Sequence, residues 1–474
     1  MAFLKVIIIA LEVVLLFNLL IFVHELGHFL AAKWRGLKVD RFAIWFGKPI
    51  WSTKIGGVEY ALGWIPAGGY VSLPQMATME TIEGKTEERS EPLPPVSALD
   101  KIIVAFAGPL FSFLLAIAMA FIVMSVGRPV SEAEGTTTIG YLVEDGPAAK
   151  AGLKPGDKIV EVDGEPVSKF GGMGDSVTWR VVRSVGETVQ IKVNRTGETL
   201  EFFPKPMKEE TKAWERKSLR QIGVAPSVSA VVAEVVAGSP AAKAGLKLGD
   251  QVVSVNGQTF HHFSDVSEYI QAQDGQPVNF VFKRSGKEFG ATIQPEVPTG
   301  TTNREPRIGV MWNATGAYTL VYPGAIQQVK DSVRAMIDTF GALFDRKTSI
   351  SPQHLGGAVK IMDVYARLFS AEHGWRLALW FSVLMNVNLA VLNMLPIPVL
   401  DGGHITLSII EGIRRKPISH RVGNIIQTTC AALLIGFMIY IAFYDVQDLP
   451  WKRWLGKEKT EAIQFSPTTN APAE

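Results

Sequence analysis

His24-Glu25-Leu26-Gly27-His28 carries the densest chemistry in the chain. On a helix, histidines four apart stand about 40° from one another and one turn up. Both imidazoles then reach one ion at ~2.0–2.1 Å, with the glutamate between them placed to take a proton from water. Read instead as structure, both would be helix-end residues at a membrane surface, which leaves Glu25 after an apolar run unexplained. A catalytic zinc needs a third protein ligand and one open position. The single cysteine, Cys430, excludes disulfides within the chain and any multi-cysteine site, so that ligand is a histidine or a carboxylate. The second polar cluster is Asn393-Met-Leu-Pro396-Ile-Pro398-Val-Leu-Asp401-Gly-Gly-His404. Its prolines break a helix, and Gly402-Gly403 is expected to let the chain turn so that Asp401 points inward. Asp401 as a helix cap is the plainer alternative, and His404 is the second-ranked ligand.

These groups need elements to hold them. Only 19% of the 474 residues are charged, against about 25% in soluble chains. The balance of 47 Lys+Arg to 45 Asp+Glu lacks the basic excess of a nucleic-acid binder. Spanning a membrane takes about 20 apolar residues. Val6–Val23, Ile102–Val126, Leu377–Leu400 and Val422–Tyr444 qualify. No small-x-small cleavage site follows Val23, so the first is read as a retained span. Six Lys/Arg in Lys33–Lys54, and Arg414, Arg415, Lys416 and Arg421, place both connections in the cytoplasm. Both termini and the segment 127–376 then lie outside. Glu12, inside the first span, is expected to face the bundle or a water-filled cavity rather than lipid.

Pro147–Gly164 returns 93 residues later as Pro240–Gly257, with 13 of 18 positions identical. Such a period implies tandem small domains. Each copy reads as a short helix, a Gly-Asp turn and an alternating strand, and resembles the PDZ domain in its permuted bacterial form. The carboxylate-binding loop of the first copy is expected at Ile139–Leu142. That of the second lies at Ile222–Val224 or nearer Val228–Val236. The modules bind peptide C-termini or act as bulk.

HELGH in a first span, NMLPIPVLDGGH at the end of a third, and PDZ modules between them resemble the site-2 protease family of intramembrane zinc metalloproteases. The resemblance implies His24, His28 and Asp401 as Zn2+ ligands and Glu25 as general base, with Asn388 and Asn393 contacting substrate backbone. It implies a bacterial inner-membrane location with periplasmic PDZ domains. The partners it implies are membrane lipid and single-span substrates of the anti-sigma-factor kind, cut first outside the membrane. It also implies a membrane-associated β-loop at Trp51–Leu73, whose exposed edge pairs substrate. Two departures, Ser112 in Phe106-Ala-Gly-Pro-Leu-Phe-Ser112 where the family has Asn, and Leu355-Gly356-Gly357-Ala358 where it has Ser-Gly-Pro, are expected to leave the metal site untouched, the second loosening its loop. The rival functions are a PDZ scaffold with an inert HELGH and a metal transporter.

The fold class expected is a polytopic α-helical membrane protein with four transmembrane helices, two extracytoplasmic α+β PDZ domains and a membrane-associated β-hairpin region. Its parts are 1–126 (first core half), 127–215 and 216–310 (PDZ domains), 311–375 (with an amphipathic helix over Ala325–Asp345), 376–450 (second core half) and 451–474 (tail).

Overall fold

The computed structural model describes residues 2–76, 94, 96–299, 304–371, 373–416, 419–449 and 465. The tail and most of the polar stretches Thr86–Pro95 and Pro298–Pro306 lie outside the described residues or at their margins. The chain divides into two units: Met1–Arg128 with Val321–Ile337 and Leu355–Leu449, and Pro129–Leu320 with Asp338–His354.

The first unit holds α1 (Ala2–Trp34), α2 (Ala98–Val126), the start of α3 (Ala325–Phe344), α4 (Ala358–Ser370), α5 (Gly374–Asn393), α6 (Asp401–Arg414) and α7 (His420–Gln447). Ile7–Trp34, Ala98–Val126, Gly374–Asn393 and Arg421–Gln447 are long and apolar enough to cross a membrane. The third stops at Asn393 rather than Leu400, because Pro396 and Pro398 cannot continue a helix. Small residues let the helices close up. A Cβ on Gly27 of α1 would lie 2.4 Å from the Ala107 carbonyl oxygen of α2. Leu20, Ala116, Met119, Ala120, Val123, Val383 and Val387 form the buried seam of α1, α2 and α5, against which Ala325 and Val329 of α3 pack. The apolar face of α3 is split, for Ile326, Ile337 and Phe344 are exposed.

Glu12 does not face the bundle. It is exposed, beside the likewise exposed Leu11 and Leu15, while Val13 is the residue that turns inward. The Gly356-Gly357 loop is not loosened. Asp445 of α7 is buried and accepts from the Gly357 and Lys360 N–H groups at 2.8 and 3.2 Å. A Cβ on Gly357 would lie 3.0 Å from that carboxylate, so glycine suits the position.

Between α1 and α2 run β1 (Arg41–Ile55) and β2 (Val58–Ser72). Both are bent. Arg41–Ile44 pairs with Gly69–Ser72 on one side and with Glu59–Leu62 on the other, while Trp51–Ile55 pairs with Val58–Leu62. Two strands therefore make a sheet of four segments. Trp45, at the bend, takes φ 68, unusual for a bulky side chain. Its indole N–H donates to Asn18 of α1 at 2.5 Å, which ties the sheet to the helix that carries the histidines.

In the second unit the sequence repeat is a structural one. Ile139–Leu142, Pro147–Lys150 and Lys158–Val162 recur as Val232–Val235, Pro240–Lys243 and Gln251–Val255. The Gly-Asp turn has the same purpose twice: buried Asp157 and Asp250 each take a two-pronged bond from an arginine, Arg195 and Arg284. Each module is closed by a strand from its own C-terminal side. Val224–Pro226 pairs with Ile139–Leu142, and Val310–Trp312 with Val232–Val235. Ile222 sits in the first core and Ile308 in the second. The expected boundary at 215 thus falls before the first closing strand, and that at 310 inside the second. Ile222–Val224 belongs to the first module, and Ile139–Leu142 is an inner strand there, not the ligand loop. The matching segments are Ile222-Gly223-Val224 and Ile308-Gly309-Val310.

Candidate metal centre

An uninterrupted apolar helix brings His24 and His28 to one face, their rings edge to face with centroids 5.0 Å apart. Their Nε2 atoms are 3.3 Å apart. After Asn393 the chain leaves the helix, and α6 begins at Asp401 with Leu400 as its cap. Asp401 is thus the first helical residue and not a capping side chain. Its Oδ2 lies 3.2 Å from His24 Nε2 and its Oδ1 3.4 Å from His28 Nε2. Gly402 and Gly403 work differently from the expected turn. Neither has positive φ. A Cβ would lie 2.2 Å from the Met394 carbonyl oxygen at Gly402 and 2.1 Å from that of Ile397 at Gly403. Glycine is needed so that the backbone can approach, which brings the Asp401 carboxylate to the imidazoles.

Whether the three fit zinc follows from geometry. Tetrahedral ligands at ~2.0–2.1 Å from an ion stand about 3.4 Å from one another. The 3.2, 3.3 and 3.4 Å separations match that spacing. Two imidazoles and a carboxylate are a zinc donor set that leaves a fourth position open. All three side chains are buried, as His24 is 6%, His28 5% and Asp401 6% exposed.

The surroundings orient this trio. The Val104 carbonyl lies 2.8 Å from His28 Nδ1 and the Ser112 hydroxyl 3.0 Å from His24 Nδ1, both from α2. Ser112 therefore touches the site, contrary to the expectation for that departure. Its helix lies close because Gly108 has no side chain: a Cβ there would sit 2.2 Å from His28 Nε2 and 2.9 Å from His24 Nε2. Gly108→Ala is expected to push both imidazoles off their shared point and weaken zinc retention about ten-fold or more. Zinc per chain in purified protein checks this, and full occupancy would show that the helices yield instead. Sequence reasoning passed over Gly108; the spacing Gly108-x-x-x-Ser112, one helical turn, was the available signal.

Glu25, His28, Asp401 and His404 share a cavity of ≈ 10 Å³ walled by Val71, Leu73, Met76, Val104 and Ala105. That is room for about one water molecule. Among the described residues the trio closes without His404, which lines the cavity one turn beyond Asp401. Asn393 reaches the site, its Nδ2 3.3 Å from His24 Nε2. Asn388 is not bonded to the trio, and its Oδ1 is buried without a hydrogen-bond partner. Gly69 of β2 passes so near α1 that a Cβ on it would lie 3.3 Å from Glu25 Cγ. A sheet edge thus runs beside the carboxylate. The arrangement provides three buried groups at ion-ligand spacing, a carboxylate next to a water-sized space, and backbone donors and acceptors at hand.

The profile of peptidase family M50 matches residues 12–437. A Neisseria meningitidis relative named as a zinc metalloprotease is 31% identical over 453 residues, 91% of this chain and 97% of its own. Protease RseP of Yersinia pestis is 30% identical over 458 residues, with the same shares. The regulator of sigma E protease of Haemophilus influenzae is 28% identical over 451 residues, 90% of this chain and 96% of its own. The PDZ domain of an SdrC-like protein from Listeria innocua aligns with 18% of this chain and 93% of its own, at 26% identity and a TM-score of 0.17.

Proposed function

The chain belongs to peptidase family M50 and is a zinc metalloprotease, and on that premise we propose that it cuts the transmembrane segments of single-span membrane proteins. The observation that carries this reading is the His24–His28–Asp401 trio at zinc-ligand spacing, its two histidines on a helix of membrane-spanning length. Bound there, zinc supplies Lewis acidity for amide hydrolysis. Glu25 takes the proton of the attacking water, for which the adjoining cavity has room. The β2 edge at Gly69 receives the unwound substrate as an added strand, and Asn393 and Asn388 hold its backbone. An edge is needed because a helical substrate hides its amides; pairing it as a strand exposes them beside the base.

The Haemophilus influenzae relative named as a regulator of sigma E points to substrates of the anti-sigma-factor kind. The charge of the short connections supports a bacterial inner-membrane orientation with the PDZ modules in the periplasm and the trio toward the cytoplasm. Comparing membrane proteomes of cells carrying wild-type or Glu25→Gln protein tests the substrate class. Single-span proteins should accumulate with Glu25→Gln; an unchanged set of such proteins would sink the reading.

The first PDZ module runs to Pro226 and the second to about residue 313 in this reading. They differ at the edge where a peptide would add. The bonds Ser227 N–H to Thr138 O and Val143 N–H to Gly223 O turn residues 223 and 227 toward the neighbouring strand. Alternation then leaves Val224 and Pro226 on the free edge, and proline has no N–H to offer. The second module has Val310 and Trp312 at these places, with Trp312 also bonded to Ser267 of helix Phe263–Ala272. Peptide addition accordingly falls to the second module. Size exclusion needs neither edge. Deleting residues 136–316 is expected to leave a zinc-loaded core that cuts untrimmed substrate, whereas Trp312→Pro abolishes peptide capture but keeps discrimination against untrimmed substrate. A deletion protein that still rejects full-length substrate while accepting the trimmed form would rule out gating by bulk.

A further inference from the structure

We propose that Ser112 is the positioning residue that makes His24 a zinc ligand, an inference that rests on the reading of the trio as the zinc site. An imidazole that binds through Nε2 carries its proton on Nδ1, and a second group must accept that proton. For His28 the acceptor is the Val104 backbone carbonyl at 2.8 Å, a group that can only accept and so fixes the tautomer. For His24 the group at Nδ1 is the Ser112 hydroxyl at 3.0 Å, on a residue with no exposed surface. A hydroxyl both donates and accepts. When it accepts from Nδ1–H, the lone pair of Nε2 faces Asp401 and His28. When it donates to Nδ1, the proton moves to Nε2 and the ligand is lost.

The neighbours of Nε2 pull both ways. Asp401 Oδ2 at 3.2 Å is an acceptor that asks for a proton there. Asn393 Nδ2 lies 3.3 Å away, and an amide nitrogen can only donate, which asks for a lone pair on Nε2. The group at Nδ1 decides between them. The two histidines are therefore held unequally, one by an invariable carbonyl and one by a side chain that a single substitution removes. Gly108, one turn before Ser112 and against both rings, keeps the helix near enough for that hydroxyl to reach. Ser112 touches neither the space for the ion nor the cavity beside Glu25; it acts through His24.

The experiment is a chelator-competition titration of zinc on the full-length, detergent-solubilised protein, for wild type, Ser112→Ala and Ser112→Cys, with the melting temperature of each zinc-free protein recorded alongside. Cysteine keeps the shape but is a weak acceptor. Ser112→Ala should bind zinc about 10- to 100-fold more weakly, the range for removing an outer-shell partner. Ser112→Cys should fall between it and wild type, with zinc-free melting unchanged for both. Wild-type affinity in Ser112→Ala would overturn the proposal. So would a weakened Ser112→Ala beside a wild-type Ser112→Cys, since side-chain volume would then explain the loss, or a loss of zinc-free melting in step with the loss of affinity. Asp401→Ala, run in parallel, separates the two claims. If it binds zinc as wild type does, the trio reading itself fails; if it fails to bind while Ser112→Ala binds normally, only the role of Ser112 falls.

Discussion

Glu25→Gln protein is expected to retain its zinc and lose about 10²–10⁴-fold in peptide-bond cleavage, the range assigned to a positioned general base. Three features combine to make this the largest effect on turnover. Glu25 follows His24 directly and so is carried by the same rigid helix, yet it is not one of the three groups with ligand spacing. It opens on the cavity that has room for about one water. The amide of glutamine keeps the shape of the side chain and cannot take up a proton at neutral pH. Single-turnover cleavage of a tagged single-span substrate, measured with zinc per chain on the same preparation, reads both halves of the expectation. Loss of zinc together with activity would make Glu25 a ligand, and cleavage at the wild-type rate would remove it from the chemistry.

Asp401→Ala should abolish stoichiometric zinc binding, with Asp401→Asn intermediate. Each oxygen of the carboxylate lies within 3.4 Å of a different imidazole, so alanine removes the only anion that joins α6 to the two histidines of α1. Two neutral imidazoles one turn apart are an incomplete set for zinc. Asparagine preserves an oxygen donor without the charge, and comparing the two substitutions separates geometry from electrostatics. Elemental analysis after dialysis against a mild chelator is the measurement, with wild type at about one zinc per chain. Full occupancy of Asp401→Ala would take the residue out of the ligand set and move attention to His404, which lines the same cavity.

How far such a chain can be read from its residues depends on the range of the interaction. The spacing of His24 and His28 is set by one helix, so their convergence followed from periodicity alone. Four apolar stretches announced the long helices, and identity at 13 of 18 positions announced the repeated module. Assigning Ile222–Val224 to a module went wrong because strand closure is non-local: that segment pairs with residues more than eighty positions earlier. Glu12 shows a related limit. The cost of burying a carboxylate says that it needs water or a partner, but not which side of a helix its neighbours take, and here Val13 took the packed side.

The sequence by itself determined the two imidazoles and the carboxylate between them, the apolar helices, the prolines that interrupt the third of these, and the duplication outside. Only the tertiary structure decided that Asp401 completes the trio, that Gly108 and the Gly402-Gly403 pair are spaces for neighbouring atoms rather than turns, and that Ser112 and Val104 hold the far sides of the rings. The division has one physical cause. Periodicity along a helix is a local property that each residue type carries with it, whereas a hydrogen bond across 88 residues exists only where close packing has already brought two backbones together.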